Sequence, residues 1–397
     1  VNSFSSLDPE LSFLENQGSP AGIESTSSLL NNEFIGVDGD VSTNAISLTI
    51  ENYIILSTRK VFSEYDTNRS GSIEPSELPE APAAFKSMDR DHNNHLTFNE
   101  VSPTPQRVKQ MSGWIFNFYK NLFNLVDANT DDHVSADELS ANLNLEPFKN
   151  QSLWKSALNT ILTKNANKVI NQSQFNILMN NLFFNLHKKF SKYKNPRYNN
   201  PEGKLPVILV QGYAEPSWYF LYGIFNSLKK SGWESIYPIN LFPNITDIKE
   251  QARIVARKIE QAKKEQGVLK VDYVAHSMGG LIGRYYIQSM NGAENINNFI
   301  SIATPHYGTN VAWLGIGEAA KQMRPGSEFL SKLNNGNPLV ANIRYTSIWT
   351  KTDEIVMPAD SALLRGSRVM PDIKYTGHLL VMWAPETYKQ IKENLTN

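Results

Sequence analysis

The spacing of apolar positions changes character near residue 200. Before it, ENYIILSTRKVFSEY sets Tyr53, Leu56, Val61 and Tyr65 along one helical face, and MSGWIFNFYKNLFNLVD and QFNILMNNLFFNLHKKF repeat that period with more aromatic residues. After it, KLPVILVQG, SIYPINL, KVDYVAHS, NNFISIATP and NIRYTSIWTKTDEIV read as buried strands, with helical stretches such as IKEQARIVARKIEQAKKE between them. Val/Ile runs separated by helices predict a mostly parallel sheet with helices on both faces. The pattern therefore predicts two domains, an all-α module over 46–190 and an α/β domain over 204–397. Residues 191–203 carry Pro196, Pro201 and Gly203 without an apolar period and read as a linker. Residues 1–45, rich in Ser, Asn and Gly, read as an arm with little capacity to form a core.

Charge and composition remove several function classes. With 38 Lys+Arg against 39 Asp+Glu, the net charge is -1, so no bulk field draws the chain to nucleic acid. The absence of cysteine excludes disulfides, cysteine-zinc sites and thiol catalysis. No apolar run reaches the ~18–20 residues that cross a bilayer, which leaves only transient contact with a lipid surface. The chain begins at Val1 rather than Met, and a secreted mature form is the expectation.

Three acidic segments in the first half share one twelve-residue grammar: DTNRSGSIEPSE (66–77), DRDHNNHLTFNE (89–100) and DANTDDHVSADE (127–138). Each opens on Asp, carries oxygen side chains at positions 3 and 5, has an aliphatic residue at 8 and closes on Glu. Such spacing wraps oxygens around one centre, as a calcium ion with its 6–8 oxygen ligands requires. Position 6 needs a left-handed backbone, which Gly71 adopts freely and Asn94 and Asp132 tolerate.

The loops resemble EF-hands. The resemblance implies three Ca²⁺ sites, with ligands Asp66, Asn68, Ser70, Ser72, Glu74 and Glu77 in the first. In the second they are Asp89, Asp91, Asn93, His95, Thr97 and Glu100; in the third, Asp127, Asn129, Asp131, His133, Ser135 and Glu138. Position 7 acts through its backbone carbonyl, so the side chains of Ser72, His95 and His133 need not be ligands. EF-hands pair through a short ribbon at position 8, and TKNANKVINQSQ (163–174) fits as a metal-free partner for the third loop, with Ile170 at that position. LPEAPAAFKSM between the first two loops reads as a clipped helix.

The second half carries VAHSMGG, in which Ser277 stands between a strand pattern, KVDYV, and a helical one, GGLIGRYYIQSM. Strand, sharp turn and helix is the setting of a G-x-S-x-G nucleophile elbow, here with Ala275 at the first glycine. In that setting the acid and then the histidine follow the nucleophile. Of the two histidines after Ser277, His306 comes before the candidate acids and His378 comes after them. Asp353 closes a strand-like run, whereas Asp360 and Asp372, the alternative acids, do not. A backbone N–H at Tyr213, after Gln211-Gly212, with that of Met278, could hold an oxyanion. Trp218, Tyr219, Phe220 and Tyr222 either border an apolar pocket or pack a helix.

Residues 204–397 resemble the minimal Bacillus-type lipases of the α/β-hydrolase superfamily through the Ala-His-Ser-Met-Gly-Gly elbow, YTSI…D-x-IVM and the closing Gly-His-x-x-Leu. Gln211-Gly212 replaces the family's His-Gly at the first strand, and 303–339 is longer than the minimal fold, as a partial lid or a wall of the acyl pocket would be. The resemblance implies a carboxylic-ester hydrolase with no cofactor in the catalytic domain, Ser277 as nucleophile, Asp353 as acid, His378 as base, and Tyr213 with Met278 as oxyanion donors. Acyl transfer through the same triad, or a calcium-responsive binding module on an inactive scaffold, are the alternatives. Because no triad residue belongs to the first half, a structural role for calcium is the expectation over a regulatory one.

Overall fold

The computed structural model describes residues 43–142, 169–180 and 203–396, apart from Pro216, Pro243 and Tyr375. Most of the arm, the linker up to Glu202 and the end of QFNILMNNLFFNLHKKF lie outside the described residues.

In the first half, helix α1 (Thr43–Tyr65) leads into a short strand β1 (Ser72–Ile73), helix α2 (Pro82–Met88), β2 (Leu96–Thr97) and α3 (Phe98–Val101). The long α4 (Pro105–Val126) follows, then β3 (Val134–Ser135), α5 (Ala136–Asn142), β4 (Val169–Ile170) and α6 (172–180). Two antiparallel ribbons tie the loops together, Ile73 opposite Leu96 and Val134 opposite Ile170. These are the eighth positions of the four loop frames, and of the fourth frame residues 163–168 lie outside the described residues.

In the second half six strands form one parallel sheet in the order β10-β9-β8-β7-β5-β6. They are β5 (Val207–Val210), β6 (Ile236–Ile239), β7 (Val271–His276), β8 (Ile296–Ile302), β9 (Arg344–Ile348) and β10 (Arg368–Val369). Helices α7 (Tyr222–Lys230), α8 (Ile248–Gln266), α9 (Met278–Ser289) and α12 (Pro385–Thr396) run between or after them, with the short α10 (Gly317–Gln322) and α11 (Glu328–Leu333) between β8 and β9. This is an all-parallel α/β sheet.

Helix α8 is representative of how the sequence sets these elements. Asp247 caps its N-terminus by accepting the Lys249 N–H at 2.8 Å, and Gly267, at φ 66°, ends it in the left-handed conformation. Ile248, Ala252, Val255, Ile259 and Ala262 recur every three or four residues and are buried. Because β6 and β7 lie on opposite sides of β5, the chain changes winding direction there. A crevice opens beyond the C-terminal ends of β5 and β7, where α/β sheets collect their ligands.

The two halves pack directly against each other. Phe118 of α4 lies 6.2 Å from Phe220 and 5.9 Å from Trp383, and Tyr65 lies 5.4 Å from Phe242. Tyr65 also donates its hydroxyl to the Asn240 carbonyl at 2.9 Å. The buried Glu250 of α8 accepts the N–H groups of Ala83 and Ala84 at 2.8 and 3.1 Å, so α2 is capped at its N-terminus by a residue of the other half. Arg257 and Glu80 add an ion pair at 2.9 Å.

Candidate active site

Ser277 sits in the one-residue break between β7 and α9, at φ 52° and ψ -127°, a backbone that L-residues seldom adopt. The turn is held by its N–H, which donates to Ile302 at 2.8 Å, and by close approach of its neighbours. A Cβ on Gly212 would come within 2.8 Å of Ser277 Cβ, and one on Gly279 within 2.7 Å of the Gln211 carbonyl oxygen. Only glycine lets the end of β5 lie this near the serine. The Met278 N–H opens α9, among the first four that a helix leaves without an internal acceptor. Tyr213 sits in the turn after β5, directly beyond Gly212.

His378 Nε2 lies 3.0 Å from Ser277 Oγ, and His378 Nδ1 lies 3.1 and 2.9 Å from the two carboxylate oxygens of Asp353. Asp353 is buried and accepts the Ile355 and Val356 N–H groups at 2.9 and 2.7 Å. Burial pushes its carboxyl up, but the charge and hydrogen bond of His378 with the two N–H groups outweigh this and hold it below the usual carboxylate range. Burial likewise opposes the charged form of His378. Asp353, with smaller contributions from Glu354 and Glu215, overcomes that and raises His378 above the ordinary imidazole value.

The other candidates lie elsewhere. Asp372 accepts the Lys351 N–H at 2.8 Å, and Asp360 belongs to a short 3-10 turn at Ala359–Ala362. His306 faces Ser301 Oγ at 3.0 Å in a fully buried setting that lowers its basicity.

Three further ionisable residues surround His378, none of them singled out by the sequence. Glu354, an exposed residue beside Asp353, accepts the His378 N–H at 3.0 Å. Glu215 Oε1 lies 2.5 Å from His276 Nδ1, while His276 Nε2 faces the His378 carbonyl at 3.0 Å. Glu215 Oε2 is buried with no partner among the described residues. A histidine inside a fully buried strand demands a polar partner, and that alone could have flagged His276; nothing in the sequence marks Glu215.

Ser277 and His378 open onto a cavity of about 120 Å³. Its walls are largely apolar. Segment 303–339 supplies Val311, Ala312 and Met323, the loop that follows β9 and carries Asp353 supplies Ile355 and Val356, and α4 supplies Met111, Trp114 and Ile115. Of the aromatic run, Phe220 reaches this cavity. Trp218 instead stacks on Tyr219 at 4.6 Å, and Tyr222 on Phe225 at 6.2 Å.

The three acidic loops repeat one set of bonds. The first-position oxygens of Asp66, Asp89 and Asp127 accept the N–H of position 5 at 2.9, 3.1 and 3.2 Å, and that of position 6 at 3.0 Å in each. The closing Glu77, Glu100 and Glu138 reach back to the second-position N–H at 2.7, 3.0 and 3.0 Å. Gly71, Asn94 and Asp132 have φ of 89°, 62° and 62°. In the second loop Asp89, Asp91 and Glu100 each offer an oxygen within 4.8 Å of the others. Within the first loop, Asn68 and Ser70 donate to Glu74 at 2.7 and 2.8 Å, and Ser72 Oγ meets His95 Nδ1 across the ribbon at 3.2 Å. Oxygen donors converging on one point, with a left-handed sixth residue, fit a calcium ion.

A family model described as palmitoyl protein thioesterase matches residues 242–322, which include Ser277, and one described as EF hand matches residues 58–78, which include the first loop. Among solved structures, Aspergillus fumigatus lipase B is similar at 23% identity and a TM-score of 0.45, over 50% of this chain and 54% of that one. The chain thus spans about half the length of that lipase. Bacillus licheniformis lipase BlEst2 in mature form is similar at 18% identity and a TM-score of 0.44, over 51% of this chain and 96% of that one.

Proposed function

We propose that the chain is a serine hydrolase of carboxylic esters with apolar acyl groups, its catalytic unit at 204–397 joined to an EF-hand calcium-binding module at 46–190. The observation that carries this reading is the run of hydrogen bonds from Ser277 Oγ through His378 to Asp353, at 3.0 and 2.9 Å, at the edge of an apolar cavity. His378 takes the Ser277 proton as Oγ attacks the ester carbonyl, while Asp353 fixes the imidazole tautomer and stabilises the imidazolium. The N–H groups of Tyr213 and Met278 receive the tetrahedral oxyanion. His378 then protonates the departing alcohol, and water, activated by the same imidazole, releases the acyl group.

Calcium stands outside this chemistry. Three Ca²⁺ would be held by the loop ligands at 66–77, 89–100 and 127–138, where the ions bind the folded loops and neutralise their carboxylates. Among the described residues no helix is long and apolar enough to cross a membrane. Trp313, Leu314 and Ile316, exposed beside the cavity, support transient contact with a lipid surface. The palmitoyl thioesterase likeness of 242–322 favours one variant of the reading, an acyl thioester as substrate, since the same attack serves either leaving group.

The decisive experiment is labelling with a fluorophosphonate, followed by hydrolysis of matched oxygen esters and thioesters. Ser277 should be labelled, and Ser277→Ala should abolish labelling and lower kcat by on the order of 10⁶. A variant retaining a tenth of wild-type hydrolysis would refute the assignment.

A further inference from the structure

The cavity at Ser277 is not built by the α/β half alone. Helix α4 belongs to the loop-bearing half, yet Met111, Trp114 and Ile115 line the same cavity as the nucleophile. The spacing of these three is i, i+3 and i+4, which puts them on one helical face. Met111 and Ile115 are buried, at 6% and 3% exposure, so their side chains are fixed by packing rather than free to swing aside. Phe118, the next turn along, is wedged against Phe220 and Trp383. Gln110 holds the Leu314 carbonyl at 3.3 Å, which joins α4 to the loop on the other side of the opening. Trp114 also lies 6.5 Å from Tyr213, and the buried Arg107 stands over the Tyr213 ring at 5.8 Å.

We propose that α4 is the specificity element of the site: Met111 and Ile115 set the length of acyl chain that the cavity accepts, with Trp114 forming its rim against Tyr213. This rests on the reading of Ser277 as the acyl acceptor. The contacts are apolar and the polar groups cluster around His378, so the apolar part of an ester belongs along α4 and its carbonyl at Ser277. Aliphatic side chains at fixed positions act on a chain methylene by methylene, and one methylene in an apolar pocket is worth roughly tenfold or more in kcat/KM.

The test uses the full-length chain with calcium present. Ile115→Phe narrows the cavity and Met111→Ala deepens it. For each, kcat/KM is measured across a series of linear acyl esters, together with the rate at which alkylphosphonates of the same lengths label Ser277. Ile115→Phe should lower the ratio of long-chain to short-chain kcat/KM by roughly tenfold or more, and Met111→Ala should move the preferred length upward. The phosphonate rates should follow the same order. Variants that change every chain length by one common factor would overturn the proposal. If Ile115→Phe melts well below wild type, Trp114→Phe at the rim takes its place, and an unaltered length profile there counts against the proposal equally. Absence of phosphonate labelling in the wild-type protein would instead refute the serine-hydrolase reading, which keeps the two failures distinct.

Discussion

Glu215 and His276, the residue before Ser277, form a hydrogen-bonded pair 2.5 Å apart, and the other ring nitrogen, Nε2, meets the backbone carbonyl of His378 at 3.0 Å. A carbonyl only accepts, so His276 Nε2 carries a proton. Nδ1 then either donates to a Glu215 carboxylate or accepts from its acid form, and in both states the pair shares one further proton. The pair fixes the loop that carries His378. Glu215→Gln keeps a donor toward Nδ1 and should retain most of kcat. Glu215→Leu strands a buried ring nitrogen and should lower kcat by roughly tenfold or more, the equivalent of a lost buried hydrogen bond of about 1.5–3 kcal/mol. Equal loss in the two variants would show that Glu215 acts by bulk alone.

Only neutral His378 accepts a proton from Ser277, and its acid form is stabilised by Asp353, Glu354 and Glu215 against the cost of burial. kcat/KM should therefore fall as pH drops through a value above the ordinary ~6.5 of histidine and stay level above it. Glu354→Gln removes one of the stabilising charges, so the acid limb should move to lower pH. A limb that stays in place or moves upward would exclude Glu354 from this role.

Glu250 caps α2 across the boundary between the halves. Glu250→Ala leaves two N–H groups at a helix N-terminus without their acceptor and should destabilise the protein by about 1–3 kcal/mol. Urea denaturation reads this as a shift in midpoint. An unshifted midpoint would mean that water replaces the cap at no cost.

Calcium that binds only folded loops stabilises by mass action, by about 2.7 kcal/mol per site at a hundredfold excess over Kd. Calorimetry should count three ions per chain, and a chelator should lower Tm. Glu100→Gln should remove the tightest contribution of the second loop and reduce the count to two. No binding at all would remove the calcium module from the proposal.

The sheet was largely legible because its strands are buried on both faces: VILV at β5 and VDYVAH at β7 contain no solvent-facing alternation to blur them. Strand β10 was not, since Arg368 and Val369 are exposed and carry no pattern. The order of Ser277, Asp353 and His378 follows from chain connectivity, which sequence preserves. Glu215, His276 and Glu354 escaped notice because their importance comes from contacts across the fold. The same limit hid the second role of α4. Its amphipathic period announced a buried face, but not that Met111 and Ile115 would meet a cavity opened by Ser277, more than 150 positions away. The weighting of calcium toward a structural role rested on the absence of triad residues from the first half, and it could not take account of this wall.

Asp127, which opens the third loop, follows directly on the last residue of α4, and its N–H closes the final turn on Phe123 at 2.8 Å. On the reading proposed for α4, the reacting groups and this wall of the cavity lie in separate stretches of the chain. Substitutions along 105–126 can retune what is cleaved without touching how it is cleaved, and a lineage could inherit the reaction while trading its diet. For the engineer the same arrangement forbids the obvious economy. Trimming the molecule to its α/β half would keep every reacting group and discard the wall against which the substrate is measured.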